Sequence, residues 1–182
     1  MIHGTHTQSY TTAPALVSLA LAKVHLKVST TDEDTIIQSY IDAATQWCEM
    51  YIQRSLCVSV ITMYYQYPDE DPGTVADFML MYPADCTKSI DITSTNSDGD
   101  TEHYTEYSVL KGAYDTIRVR DLVAYEMLEI CYTTRRYEHA DRVVPAILMK
   151  IGEMYTLRSD GDIPKQSAII NILNRHRVRK HI

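Results

Sequence analysis

The chain has 182 residues, 45% hydrophobic and 23% charged, which is enough for one buried core and about one domain. No run approaches the roughly 20 apolar residues of a membrane helix, and the N-terminus lacks the features of a secretory signal. The four cysteines include no CxxC pair. These features predict a soluble protein in a reducing compartment. The net charge of −7 is uneven: residues 1–134 carry 7 basic and 19 acidic residues, whereas residues 135–182 carry 10 and 5, a net +5.

Two helices are predicted near the N-terminus. Ser18 can act as the N-cap of a short helix, and Thr30 with Glu33 has the spacing of a capping box that would start a second one. Apolar residues then recur at helical spacing as far as about Arg54, with polar residues between them. The apolar face of the short helix consists of Leu19, Ala22 and Leu26. These signals predict a short helix followed by a long amphipathic helix.

The middle of the chain changes to the alternating pattern of β-strands. Residues 57–67 are rich in β-branched and aromatic residues and end at the acidic loop 69–73, and residues 78–83 form a second short candidate. Asp98-Gly99 is a tight-hairpin dipeptide between two alternating runs. TIRVR and YEMLEICYTT continue the series. Because hairpin-length links cannot make parallel crossovers, we expect an antiparallel sheet of about five strands.

Helical spacing returns at the C-terminal end. Pro145 suits the first turn of a helix, which residues 160–162 would stop, and a last helix then runs into a basic tail. The order helix, helix, sheet, helix, helix, without repeats, predicts an α+β fold: a bundle of about four helices with an inserted sheet. The predicted boundaries are a flexible N-terminal arm over residues 1–14, a single domain over residues 15–174 and a basic tail over residues 175–182.

One loop superficially resembles a calcium-binding motif. If Gly99 took the sixth position of such a loop, Ser94 and Thr105 would fall at the first and twelfth positions, where carboxylates belong. We therefore interpret Asn96 to Asp100 as a hairpin turn. The seven histidines show no metal-ligand spacing either, so we expect no metal site.

No catalytic motif stands out. Cys131, His139 and Asp141 could be arranged as thiol, base and orienting acid, but Cys131 lies in an apolar alternating run typical of a strand packed in a sheet. The sequence also has no Gly-rich phosphate loop, nucleophile elbow or HExxH motif. We expect neither a cofactor nor an enzymatic activity.

The basic tail is the most informative segment. It places five basic side chains around two apolar anchors: Arg175, His176, Arg177, Val178, Arg179, Lys180 and Ile182. Such a composition suits docking on an acidic protein groove, whereas a pure phosphate binder has little use for the anchors. A basic helix end in solvent, favoured by the helix dipole, would explain the charge without any partner.

The order of several segments is similar to that of phage head-tail connector (adaptor) proteins. VSLALAKVHLKV and the acidic start of the following long helix resemble the N-terminal signature of that family. YPADCTKSIDITSTNSDGD, EICYTT, VPAILMKIGEMYTLRSD and ILNRHR resemble its later strand, hairpin, closing strand and C-terminal helices in the same order. The resemblance extends from about residue 17 to residue 177.

This resemblance implies a structural protein of the virion neck. It implies a ring of copies, typically twelve, beneath the portal, which joins the DNA-filled capsid to the tail or the next neck protein and continues the genome channel. DNA would pass through the lumen without specific binding, no membrane would be involved, and the chain would be made in the host cytoplasm. The charge split between the two parts of the chain leads to the further hypothesis that the tail residues contact the portal. The alternatives are another neck or tail-completion protein, a nucleic-acid-binding module and, last, a small cysteine enzyme.

Overall fold

The computed structural model describes residues 16–66, 75–112, 114–122, 127–157 and 167–178, and the backbone of residues 4–10. The chain divides into two compact units. A helical unit contains Ala13–Cys57 and Arg136–Lys180, and a β unit contains Val58–Arg135 together with the N-terminal strand. The acidic loop 69–73 and the helix stop at residues 160–162 lie outside the described residues.

In its described ranges, the helical unit contains four α-helices and a 3₁₀ turn. They are α1 (Leu19–Leu26), α2 (Asp34–Ile52), the 3₁₀ turn (Ala140–Val143), α3 (Val144–Thr156) and α4 (Ser167–Asn174). The predicted cap of α1 is confirmed, because the Ser18 hydroxyl accepts a hydrogen bond from the amide of Leu21 at 3.2 Å. Pro145 lies in the first turn of α3, as predicted. No helix in these described ranges is both long and apolar enough to span a membrane.

The apolar faces of these helices form one core. The fully buried members are small or β-branched residues on α1, α2 and α3 together with one leucine of α4: Ala22, Ile37, Ile41, Ala44, Cys48, Ile52, Ala146, Ile147, Ile151 and Leu173. Their spacing along each helix is the 3.6-residue period that the sequence shows. Burial of these faces against each other is the main stabilising term for helices of this length, since the 8 residues of α1 are too few for a helix to persist alone.

The predicted capping box of α2 is wrong. The helix begins at Asp34 with Glu33 as its N-cap, and the Glu33 side chain makes no capping hydrogen bond. Its carboxylate instead accepts a hydrogen bond from the hydroxyl of Tyr155 on α3. Asp34 stays in the first turn, where the helix dipole favours an acid, and forms an ion pair with Lys23 of α1. Glu33 and Asp34 therefore connect the start of α2 to α3 and α1, and they do not complete a local cap.

Among the described residues, the β unit contains eight strands in two antiparallel sheets. The strands are β1 (Gly4–Tyr10), β2 (Ser59–Gln66), β3 (Val75–Met79), β4 (Asp91–Thr95), β5 (Thr101–His103), β6 (Tyr107–Leu110), β7 (Thr116–Arg120) and β8 (Met127–Thr133). The order in the larger sheet is β1-β2-β8-β4-β5 and in the smaller sheet β3-β7-β6. The α+β class and the antiparallel pairing are as expected, but the strands number more than the five predicted and do not share one sheet.

Two features explain the difference in the sheets. Residues 101–110 were interpreted as one alternating run, but β5 pairs with β4 whereas β6 pairs with β7, so the run divides between the two sheets. β1 was not predicted because its sequence, GTHTQSY, is polar. It pairs with β2 along all seven residues, which backbone hydrogen bonds allow without any apolar side chain.

The Asp98-Gly99 hairpin turn is confirmed. Gly99 has a φ of +84°, a value that glycine adopts without steric cost, and the Asn96 side-chain oxygen accepts the amides of Asp98 (3.0 Å) and Asp100 (2.8 Å). The inward faces of both sheets meet in a core that includes Ile61, Phe78, Leu80, Tyr82, Ile92, Ile117, Leu128, Ile130 and Tyr132.

Candidate interaction surface

The described part of the basic tail is fixed against the end of α2. The Val178 amide donates to the carbonyl of Ile52 at 3.0 Å, and Arg54 Nε donates to the carbonyl of His176 at 3.1 Å. The last four carbonyls of a helix lack partners within the helix, so Val178 satisfies an acceptor that α2 leaves open. Arg179, Lys180 and Ile182 lie outside the described residues. Residues 175–178 are thus held by backbone and side-chain contacts of the same unit.

Tyr51, in the last turn of α2, makes two contacts with the C-terminal segment. Its hydroxyl donates to Asn174 Oδ1 at 2.8 Å, and the guanidinium of Arg177 lies over its ring at 5.1 Å from the centroid. The other neighbour of the Tyr51 ring is Trp47, which stacks on it with centroids 5.7 Å apart. Arg177 is therefore engaged by a cation–π contact although most of its side chain faces solvent.

Tyr137 forms the second aromatic contact of the tail. Its hydroxyl hydrogen-bonds His176 Nδ1 at 3.1 Å, and the guanidinium of Arg54 lies 4.7 Å from its ring centroid. The Tyr137 amide donates to the carbonyl of Ser55 at 2.8 Å, which fixes the loop that carries this ring to the residues just after α2. Arg54 and Tyr137 thus contact each other and the tail residue His176 together.

His176 carries little positive charge at neutral pH. Partial burial, first, and then the nearby charges of Arg142, His139, Arg175 and Arg54 lower its pKa from the ordinary value of 6.5. Desolvation and like charges both disfavour the imidazolium form. The cationic character of the segment therefore comes from its arginines, and His176 acts as a neutral hydrogen-bonding group.

Two exposed arginines near His176 have no acidic partner. Within the described ranges, neither Arg142 nor Arg175 forms an ion pair, whereas Arg136 pairs with Asp141 at 3.1 Å. The charge is also segregated between the units. The helical unit has 12 Lys and Arg against 10 acids, while the β unit has 5 against 14. A surface with unpaired arginines is suited to an acidic protein partner.

The residues considered for catalysis contact other groups. Cys131 lies in β8, where its sulfur is 3.7 Å from the Thr62 hydroxyl, and His139 packs edge-on against the ring of Tyr137. Asp141 pairs with Arg136 rather than with His139. Among the described residues, no group of three His, Cys, Asp or Glu side chains has the geometry of a metal site.

Sequence reasoning did not identify the residues that hold the tail. The helical spacing that ends near Arg54 includes Tyr51 among the apolar positions, and it gives Arg54 no role beyond the end of that helix. Tyr137 had no assigned role. No local sequence pattern indicates that Tyr51 and Arg54 contact residues 123 and 122 positions later in the chain, Asn174 and His176.

Comparisons with known proteins agree on one family and one fold. Residues 17–120 match the family model described as "Phage gp6-like head-tail connector protein". A chain in a structure described as "Neck of empty GTA particle computed with C6 symmetry" superposes with a TM-score of 0.71 at 16% identity, covering 97% of both chains. A chain in "Virion of native gene transfer agent (GTA) particle" superposes with a TM-score of 0.66 at 15% identity, covering 96% of this chain and 97% of that one. No curated protein matches the sequence.

Proposed function

Because this chain belongs to the phage gp6-like head-tail connector family, whose members are structural proteins of the virion neck, we propose that its copies form a ring beneath the portal. The ring joins the DNA-filled capsid to the tail or to the next neck protein and continues the genome channel. The observation that carries the proposal is the family match over more than half of the chain, supported by a fold match along nearly all of it.

We propose twelve copies in the ring. A closed ring uses heterologous contacts, in which two different surfaces of neighbouring copies meet. The GTA neck was computed with six-fold symmetry, and twelve is a multiple of six. The number itself can be read from end-on images of the assembled particle.

The outer face of the smaller sheet supports contacts between copies. Val75 and Met79 of β3 and Leu110 of β6 are 49%, 56% and 40% exposed. Met79 and Leu110 both lie opposite Thr116 of β7, so Met79, Thr116 and Leu110 lie in one row across this sheet. The Asp77–Arg118 ion pair lies on the same face. An apolar row beside a charge pair is the composition of a protein–protein contact.

The acidic balance of the β unit supports passage of DNA without specific binding. This unit carries 14 acids against 5 basic residues. Each cationic contact with a phosphate would add a favourable term that retards sliding, and acids add the opposite term. We propose that DNA passing the ring meets a surface that repels it.

We further propose that the tail, Arg175 to Ile182, binds an acidic surface of the portal. The unpaired Arg175 supports this, because a cation exposed near a fixed segment can pair with a carboxylate of the partner at little ordering cost. Removal of residues 175–182 should then weaken portal binding. Full binding by the truncated chain would contradict the contact while leaving the ring proposal standing.

Electron microscopy of the purified protein mixed with purified portal tests the ring directly. We expect an added ring of density on the tail-facing side of the portal. A pull-down with portal and with tail-tube ends separates the connector from a tail-completion protein, since only the connector is captured by the portal. A chain that stays monomeric with portal, and binds tail-tube ends instead, would overturn the proposal.

A further inference from the structure

We propose that Arg54 and Tyr137 are positioning residues that hold the C-terminal segment in one orientation for its contact with the portal. The inference rests on the proposed function and assigns it two residues outside the tail. Both belong to the helical unit, and neither is expected to touch the portal.

The contacts on the segment come from two directions. Arg54, just after α2, donates from Nε to the His176 carbonyl at 3.1 Å, which restrains the backbone of the segment. Tyr137, in the loop before the 3₁₀ turn, hydrogen-bonds the His176 ring at 3.1 Å, which restrains the side chain. The guanidinium of Arg54 also lies over the Tyr137 ring at 4.7 Å, so the two residues stabilise each other. One residue of the tail is thus held at both its backbone and its side chain.

The restraints sort the tail residues into two groups. His176 and Val178 are half-buried and bonded to the helical unit, and Arg177 lies over the ring of Tyr51. Arg175 is exposed and its backbone amide donates to the carbonyl of Ile172 at 3.3 Å, but within the described residues its guanidinium forms no hydrogen bond or ion pair. The contacts around His176 therefore leave the charge of Arg175 open to a partner, whereas Arg177 is exposed but also lies over the Tyr51 ring.

A fixed segment binds more tightly than a free one with the same residues. Ordering a loop on association costs free energy, and a protein that has ordered the loop beforehand avoids that cost. Loss of Arg54 or Tyr137 contacts should therefore weaken portal binding on the order of tenfold, although the charge that meets the portal is unchanged. Loss of Arg175 should weaken binding through charge, and added salt should remove that difference.

The experiment measures portal affinity for Tyr137→Phe and Arg54→Met in the full-length chain and in a chain lacking residues 175–182. Tyr137→Phe keeps the ring and removes only the hydroxyl, so we expect this variant to fold as the wild type does. Lys111→Met, at an exposed lysine whose side chain forms no hydrogen bond or ion pair among the described residues, controls for the charge lost with Arg54. We expect both variants to weaken binding in the full-length chain at low and high salt, and to have no effect in the truncated chain. Lys111→Met should bind as the wild type does.

Each outcome decides between the two proposals. If truncation leaves portal binding intact, the tail contact itself is wrong. If truncation weakens binding but Tyr137→Phe and Arg54→Met bind like the wild type, the positioning role is wrong. An equal loss in the full-length and truncated chains would also overturn it, because the two residues would then act without the tail. Thermal unfolding of each variant, expected to change little for Tyr137→Phe, separates these effects from general destabilisation.

Discussion

The buried carboxylate of Glu49 should make a large contribution to stability. It lies on α2, is fully buried, and its Oε1 accepts the amides of Leu56 at 2.7 Å and Cys57 at 3.3 Å. Glu49→Ala removes this acceptor from two amides in a buried turn. Each buried donor that loses its acceptor costs about 1–3 kcal/mol, so we expect a loss of about 4 kcal/mol in the free energy of unfolding. That is a large part of the roughly 5–15 kcal/mol that stabilises a typical domain.

Urea unfolding followed by circular dichroism measures this loss. With a slope of about 2 kcal/mol per molar urea, the midpoint should fall by about 2 M. Glu49→Gln keeps one acceptor oxygen but replaces the other oxygen with an NH2 donor, so it should cost about 1–2 kcal/mol. Asp42→Ala, at an exposed acid of the same helix, should change the free energy by no more than about 0.5 kcal/mol. If Glu49→Ala unfolds at the same urea concentration as Asp42→Ala, the two hydrogen bonds do not stabilise the turn as argued.

Three further predictions follow from caps and buried titrating groups. Ser18→Ala should cost about 1 kcal/mol in unfolding free energy by removing the side-chain cap of α1, measured by the same urea titration, and an unchanged midpoint would show that the cap is dispensable. Exposed Cys86 should react with a thiol reagent in the native protein, whereas Cys48 and Cys57, whose pKa values are raised by burial, should react only after unfolding; rapid native labelling of all three would contradict this. Burial also raises the pKa of both Cys48 and Tyr65 to about 12, above their ordinary values of 9.0 and 10.0. The free energy of unfolding should therefore be unaffected by these groups below about pH 9 and should fall as the pH rises toward 12. Urea unfolding at pH 8 and at pH 11 measures this difference.

Much of the fold was predictable because its signals are local. The cap of α1, the first-turn proline of α3 and the Asp98-Gly99 turn each depend on a few adjacent residues, and all three appear in the structure. Hairpin-length links also gave the antiparallel pairing. The local sequence is sufficient to predict these three features because each is defined by the backbone of a single turn.

The errors arise where a distant residue competes with a local pattern. Glu33 has the spacing of a capping box with Thr30, but its carboxylate accepts a hydrogen bond from Tyr155 of α3, and the helix begins at Asp34 instead of just after Thr30. The alternating run over residues 101–110 supplies one strand to each sheet, which depends on the partners β4 and β7 rather than on its own residues. The polar strand β1 carries no apolar pattern at all.

The candidate surface combines both kinds of information. The basic composition of the tail is local, and it was predictable from residues 175–182 alone. The position of the tail is not, because it depends on Arg54 and Tyr137, which are far from it in sequence.

Under the proposed function the chain binds other proteins tightly while DNA passes it freely, and the charges of its two units suit these two demands differently. Arg142 and Arg175, which form no ion pair in the described ranges, belong to the helical unit, where protein contacts add apolar burial to charge pairing. DNA offers phosphates but no apolar surface of that kind, so its attraction depends on the number of cations that it meets together. The 14 acids of the β unit oppose that attraction, and salt weakens it further. On the proposed function, a partner that supplies both carboxylates and apolar side chains is therefore favoured over DNA at this surface.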